Sequence, residues 1–218
     1  MSEKKGKLIV IEGVDGAGKT TQIQRLAENL SAEGCEVFVT SEPTCKAAHH
    51  APTVVGTIIA DVLLGKIEMS ASSMAALFLA DRVLHNTDRD FGIKAMIERG
   101  AYVICDRYYY SSCAYQGLDS DLDWVIEQNV NCPDIIRPDV CVFLDLDPET
   151  ASLRRQTRGE EIEIFERPEV KTSTVREKFL KVFERLPNDN IKRVDADGTI
   201  DEVAERVLDV VRTVMNRS

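Results

Sequence analysis

The chain has 218 residues, 44% of them hydrophobic and 29% charged, with a formal net charge of −10. That length suits one α/β domain with its own core, and the acidic balance argues against a nucleic-acid polymer as partner. No apolar run approaches the roughly 20 residues that span a bilayer, and the polar opening Met1–Lys7 lacks signal-peptide anatomy, so a cytoplasmic protein away from membranes is expected.

The elements alternate from the start. Leu8–Ile11 reads as a short strand ending at a glycine-rich turn. Thr20–Glu33 carries helical spacing through Ile23, Leu26, Ala27 and Leu30 and stops at Gly34. Glu36–Thr40 reads as a strand, Ser41–Pro52 as a loop, and Val54–Leu64 and Ser72–Glu98 as helices, the second ending at Arg99-Gly100. Tyr102–Cys105 is a third strand with Asp106 at its end, and Leu122–Val130 is helical. Val140–Leu146 is a continuous β-branched and aromatic run, which suits a strand covered on both faces. Pro148 opens a helix to about Arg158, Pro168–Leu186 is another, Ile191–Val194 is a fifth strand, and Ile200–Met215 is the last helix. This order predicts an α/β fold, a five-stranded parallel sheet with helices on both faces, in one domain. None of the six cysteines forms a C-x-x-C pair, and Cys105 and Cys141 fall inside strands, so reduced, partly buried thiols are expected. Cys45, His49 and His50 are too loosely spaced to make a strong metal set.

Gly13-Val14-Asp15-Gly16-Ala17-Gly18-Lys19-Thr20 satisfies G-x-x-x-x-G-K-[ST] between a strand and a helix. The glycines let the backbone curl so that its N–H groups point at phosphate oxygens. The following helix aims the positive end of its dipole at the same place. Lys19 is expected on the β- and γ-phosphates and the Thr20 hydroxyl on Mg²⁺. The guanine-reading sequence N-K-x-D is absent, which counts against a GTPase. Asp15 lies inside the loop, where it either positions an acceptor group or simply forms the turn.

The acceptor side is less specific in sequence. Asp106-Arg107-Tyr108 ends the third strand, and ligands of open α/β sheets sit beyond such ends. Asp106 there suits Mg²⁺ held through water, and Arg107 suits a phosphate; a strand-end ion pair is the alternative. Ser111, Tyr115 and Gln116 follow and can line the same pocket. Phe78 and Arg82, four apart, share a helical face. They suit a nucleobase, by stacking and by bonds to carbonyl oxygens, but spacing alone favours a core ring and a solvated charge. Arg154, Arg155, Arg158 and Arg167 are a local excess of cations.

Taken together these pieces resemble the thymidylate kinase family, over nearly the whole chain and in order. The resemblance runs from Ile11-Glu12-Gly13 through Lys19-Thr20-Thr21-Gln22 to Ser41-Glu42-Pro43-Thr44 and Leu77-Phe78-Leu79-Ala80-Asp81-Arg82. It continues with Asp106-Arg107-Tyr108, Ser111-Ser112, Ala114-Tyr115-Gln116-Gly117 and Leu144-Asp145-Leu146-Asp147-Pro148-Glu149, then Arg154, Arg158-Gly159 and Phe165-Glu166.

The resemblance implies transfer of the γ-phosphate of ATP to dTMP, with Mg²⁺, by a homodimer. Phe78 would stack on thymine and Arg82 bond its carbonyl, with Glu42 and Pro43 on the same side. Arg107 and Asp15 would meet the acceptor phosphate, Ser111, Tyr115 and Gln116 would complete the nucleoside pocket, and Phe165 would lie near the sugar. Thr21 would extend the ATP loop, and Asp195-Ala196-Asp197 would lie near adenine. Arg154 to Arg167 would form a lid whose Arg154 and Arg158 serve transfer, since Gly16 supplies no cation within the loop. Two positions depart from many members: Ser41 and Ala60 stand where arginines serve the acceptor phosphate, with Lys46 the candidate substitute. Another nucleotide kinase, or a nucleotide-binding regulator that transfers nothing, are the competing readings.

Overall fold

The computed structural model describes residues 5–47, 50–156 and 171–215, the side chains of residues 155 and 156 excepted. Five parallel strands, β1 Lys7–Glu12, β2 Val37–Ser41, β3 Tyr102–Asp106, β4 Val140–Asp145 and β5 Ile191–Asp195, lie in the order β2-β3-β1-β4-β5. The central strands are continuous apolar runs because helices cover both of their faces, and Leu8, Ile9, Val10 and Ile11 are fully buried. Register brings polar residues together at the carboxyl edge: Ser41 lies opposite Asp106, Asp106 opposite Ile11, and Asp145 opposite Asp195.

The helices among the described residues are α1 Lys19–Ala32, α2 Val54–Leu63, α3 Ala71–Thr87, α4 Ile93–Glu98, α5 Tyr109–Tyr115, α6 Leu122–Val130, α7 Pro148–Gln156, α8 Thr172–Arg185 and α9 Ile200–Met215. α6 and α9 have the bounds that their periodicity predicts. The single helix expected over Ser72–Glu98 is two. Asp88 ends α3, and its Oδ1 accepts the Asp90 and Phe91 N–H groups at 2.9 and 2.8 Å, a local side-chain turn that competes with helix continuation. α5 was not legible from periodicity, because every residue from Tyr109 to Tyr115 is buried and a helix covered all round has no apolar stripe. The loop after β2 contains a short 3₁₀ turn, Thr44–Lys46.

α8 seats against the sheet and α5 through aromatic rings. Phe143 on β4 lies 5.2 Å from Phe179 and 5.0 Å from Phe183, and Tyr115 meets Phe179 edge-on at 6.1 Å. The contact fixes α5, which carries Ser111 in its first turn and Tyr115 at its end, with Gln116 just beyond. No disulfide joins the six cysteines, and burial raises the thiols of Cys105, Cys113 and Cys141. No helix among the described residues is long and apolar enough to cross a membrane.

Candidate active site

The glycine-rich loop joins β1 to α1. Gly16 and Gly18 take φ of 89° and 91°, the left-handed region that favours glycine. A Cβ on Gly16 would fall 2.1 Å from the Ala151 carbonyl oxygen of α7, so glycine here also lets the loop and α7 approach. Lys19 folds back into the loop: its Nζ donates to the Gly13 and Val14 carbonyls at 3.1 and 3.2 Å and lies 3.7 Å from Asp15. Burial and the nearby Arg107 guanidinium lower the Lys19 ammonium, against Asp15, Asp106 and Glu12.

Asp15 is more than a turn residue. Arg107 donates to its Oδ1 at 2.5 Å and Tyr115 to its Oδ2 at 3.0 Å. Burial raises its carboxyl, but Arg107, Lys19 and these hydrogen bonds outweigh that and hold it well below the usual carboxylate range. Arg107 reaches it from an unusual backbone, with φ of 66°, a conformation that costs a non-glycine residue about 1–2 kcal/mol and that concentrates at functional sites. Glu12, which sequence reading passed over, holds this turn. It is fully buried at the end of β1, and it accepts the Tyr108 N–H at 2.9 Å and the Ser111 N–H and O–H at 3.1 and 2.7 Å. Burial raises its carboxyl, with Arg107 and the Ser111 bond opposing. An acid closing an otherwise apolar strand was the available signal. Ser111 in turn accepts from Arg107 at 2.9 Å.

The other wall belongs to α3 and the loop after β2. Phe78 is 8% exposed and packs on Ile59 and Leu63. Arg82 is 1% exposed, so the solvated-charge alternative fails. Its Nε donates to Glu42 at 2.6 Å, its NH1 to Asn129 at 2.6 Å and its NH2 to Ser112 at 3.0 Å, with the guanidinium over the Tyr108 ring at 5.4 Å. Asp81 pins the loop to α3, its carboxylate accepting the Thr44 N–H at 2.8 Å and the Thr44 hydroxyl at 2.6 Å. Ser112 on the cavity wall, and Asn129 and His85 behind it, hold Arg82 and Glu42; none of the three takes a role from the sequence, since only the fold brings α3, α5 and α6 to one guanidinium.

A cavity of about 630 Å³ joins the two walls. Asp15, Lys19, Thr20, Glu42, Pro43, Phe78, Arg82, Asp106, Arg107, Ser111, Tyr115 and Gln116 all line it, as do Ser41, Lys46 and Ala60. Three polar atoms on it, Ser41 Oγ, Asp106 Oδ1 and Gln116 Oε1, are buried without a protein hydrogen-bond partner, and such atoms mark sites that a ligand completes. Gly13, Val14, Ala17 and Thr21 belong to the loop and first turn of α1. Asp195 is exposed at the end of β5, and Ala196 is buried, its N–H 3.0 Å from the Asp145 carbonyl. Arg154 is exposed on α7. Arg158, Phe165, Arg167 and His49 lie outside the described residues. Among the described residues no group of three or more His, Cys, Asp or Glu side chains forms a metal cluster.

A family model described as Thymidylate kinase matches residues 11–207. A thymidylate kinase of Exiguobacterium is 37% identical over 94% of this chain and 93% of its own. A probable thymidylate kinase of Pyrococcus horikoshii is 37% identical, covering 95% and 97%. The thymidylate kinase of Caenorhabditis elegans is 34% identical, covering 94% and 89%.

Proposed function

This chain belongs to the thymidylate kinase family, and from that premise we propose how its own residues carry the reaction. The enzyme transfers the γ-phosphoryl group of ATP to dTMP, giving dTDP and ADP, a step toward dTTP. The observation that carries the assignment is one cavity that runs from the phosphate loop to the Phe78–Arg82 wall.

ATP phosphates lie in the amide cradle of Gly13 to Thr20, with Lys19 leaving its carbonyl partners for them. Thymine stacks on Phe78. Arg82 commits three side-chain contacts to Glu42, Asn129 and Ser112, which leaves N–H capacity of its five donors for a base carbonyl. The unpartnered Gln116 Oε1 is an acceptor suited to the base N–H. The acceptor phosphate meets Arg107, and the unpartnered Ser41 Oγ on the same cavity offers it a hydroxyl. Asp15 holds Arg107 in place; beside two cations it stays ionised and positions rather than donates.

The orphaned Asp106 Oδ1 and the Thr20 hydroxyl are oxygen donors on the same cavity, which fits a hard dication held partly through water. Mg²⁺ bound there would neutralise charge on the donor phosphates. We also propose a single domain with a lid from Arg154 to Arg167, a homodimer, and a cytoplasmic location.

A coupled ADP-release assay tests the function. ADP release should require dTMP and fall sharply with purine monophosphates. Release that is indifferent to dTMP would sink the assignment.

A further inference from the structure

Behind the acceptor wall runs a line of hydrogen bonds that the transfer does not use. The Thr40 hydroxyl is 2.9 Å from His50 Nε2 and 2.8 Å from His85 Nε2. His85 Nδ1 is 3.0 Å from Glu42 Oε1, and the other Glu42 oxygen receives the Arg82 N–H. His50 Nδ1 is 2.9 Å from the Ala51 carbonyl. Thr40, Glu42, Arg82 and His85 are buried, while His50 is half-buried between the Phe38 and Phe91 rings.

The protons on this line can be counted. Glu42, ionised against Arg82, only accepts, so His85 Nδ1 donates. The Ala51 carbonyl only accepts, so His50 Nδ1 donates too. A neutral imidazole carries one N–H, so two neutral rings would both turn a bare Nε2 toward Thr40. One hydroxyl proton cannot serve both. A single additional proton satisfies every contact: one ring, now imidazolium, donates Nε2–H to the Thr40 oxygen, and the Thr40 O–H goes to the other ring. The charge passes from His50 to His85 when the His50 N–H bond breaks as a new O–H forms on Thr40, and the old O–H breaks as an N–H forms on His85. No net charge changes. Glu42 and Arg82 face His85 on one side, and Asp88, at the end of α3, interacts with both rings.

We infer that His85 is a positioning residue for the acceptor base, seated by one proton that it shares with His50 through Thr40. It acts through Glu42, whose two oxygens it and Arg82 hold, and so fixes the guanidinium at the cavity wall. The inference rests on the reading that this wall takes dTMP. Loss of the proton leaves one imidazole nitrogen opposed to a hydroxyl lone pair, which disfavours the seat that His85 takes behind Glu42.

Histidine-selective ¹⁵N NMR of the unliganded protein tests the shared proton directly, on the wild type, Thr40→Val and Thr40→Ser. At about pH 7 the wild type should show one imidazolium beside one neutral ring. The imidazolium signal should be lost in Thr40→Val, where the shared hydroxyl is gone, and return in Thr40→Ser. In kinetics above neutrality, where the dTMP phosphate is already a dianion, Thr40→Val should raise the KM for dTMP about fivefold, with kcat and the KM for ATP within about twofold. Two neutral rings in the wild type, or an imidazolium that survives in Thr40→Val, would overturn the inference. The NMR result does not depend on the acceptor, so a wild type that ignored dTMP would overturn the functional assignment instead.

Discussion

Phe78 and Arg82 share a helical face but are held by different forces, and their variants should separate accordingly. Phe78 belongs to a small apolar cluster and also to the cavity wall. Phe78→Ala should weaken dTMP binding by about 1–3 kcal/mol, the worth of a lost base stack, while ATP affinity stays level; calorimetry with each nucleotide checks this. An unchanged dTMP affinity would make Phe78 a core residue only. Arg82→Ala is a different experiment. It leaves Glu42 buried, with Arg82 no longer opposing its charge, and removing one partner of a buried pair costs about 3–5 kcal/mol. Urea unfolding should show that loss. Reduced activity in Arg82→Ala therefore does not by itself report a base contact, whereas Phe78→Ala does.

At the scale of elements, the phosphate loop and α7 are tied by close approach rather than by side chains. Gly16 has φ of 89° and no room for a Cβ beside the Ala151 carbonyl. Gly16→Ala should therefore pay about 1–2 kcal/mol for the left-handed backbone alone and must also displace α7 or the loop. Thermal melting and ATP titration should both show the damage; a variant that melts and binds as the wild type does would mean that α7 retreats freely. The same closeness means that a basic residue cannot enter the loop at this position without moving α7. The break between α3 and α4 has a simpler origin, the Asp88 carboxylate satisfying two following amides, and it allows α4 to turn back under β3.

Over the whole molecule, a chain of net charge −10 lines one cavity with Lys19, Lys46, Arg82 and Arg107 against Asp15, Glu42 and Asp106, so an anionic substrate pair meets a slight local surplus of cations inside an acidic protein. Transfer between two anionic nucleotides favours one more cation, delivered when charge is greatest. Sequence points to the arginines after β4, and Arg158 lies outside the described residues. Arg158→Ala should lower kcat about a hundredfold with smaller changes in KM. Steady-state kinetics decide it, and an unchanged kcat would pass the role to Arg154. Sedimentation would test the proposed homodimer.

Local chemistry wrote much of this protein plainly into its sequence. The loop Gly13–Thr20 needs small residues, one lysine and one hydroxyl at set spacing, so eight consecutive positions declare a phosphate site. Buried parallel strands need unbroken apolar runs, and amphipathic helices such as Ile200–Met215 need one apolar stripe, so the sheet and most helices were legible too. Other features depend on residues that meet only after folding. Arg82 is a buried group with three side-chain partners because Glu42, Asn129 and Ser112 arrive from three other segments; its helix alone reads more readily as carrying a surface charge. Glu12 becomes the anchor of the Arg107 turn only when β1 pairs with β3. The line from His50 to Glu42 joins residues from β2, its following loop and α3, and hydrogen bonds between such distant segments leave no periodicity to read. Spacing specifies what neighbours along the chain must do, whereas the partners of a buried polar group are decided by the packing that desolvates it.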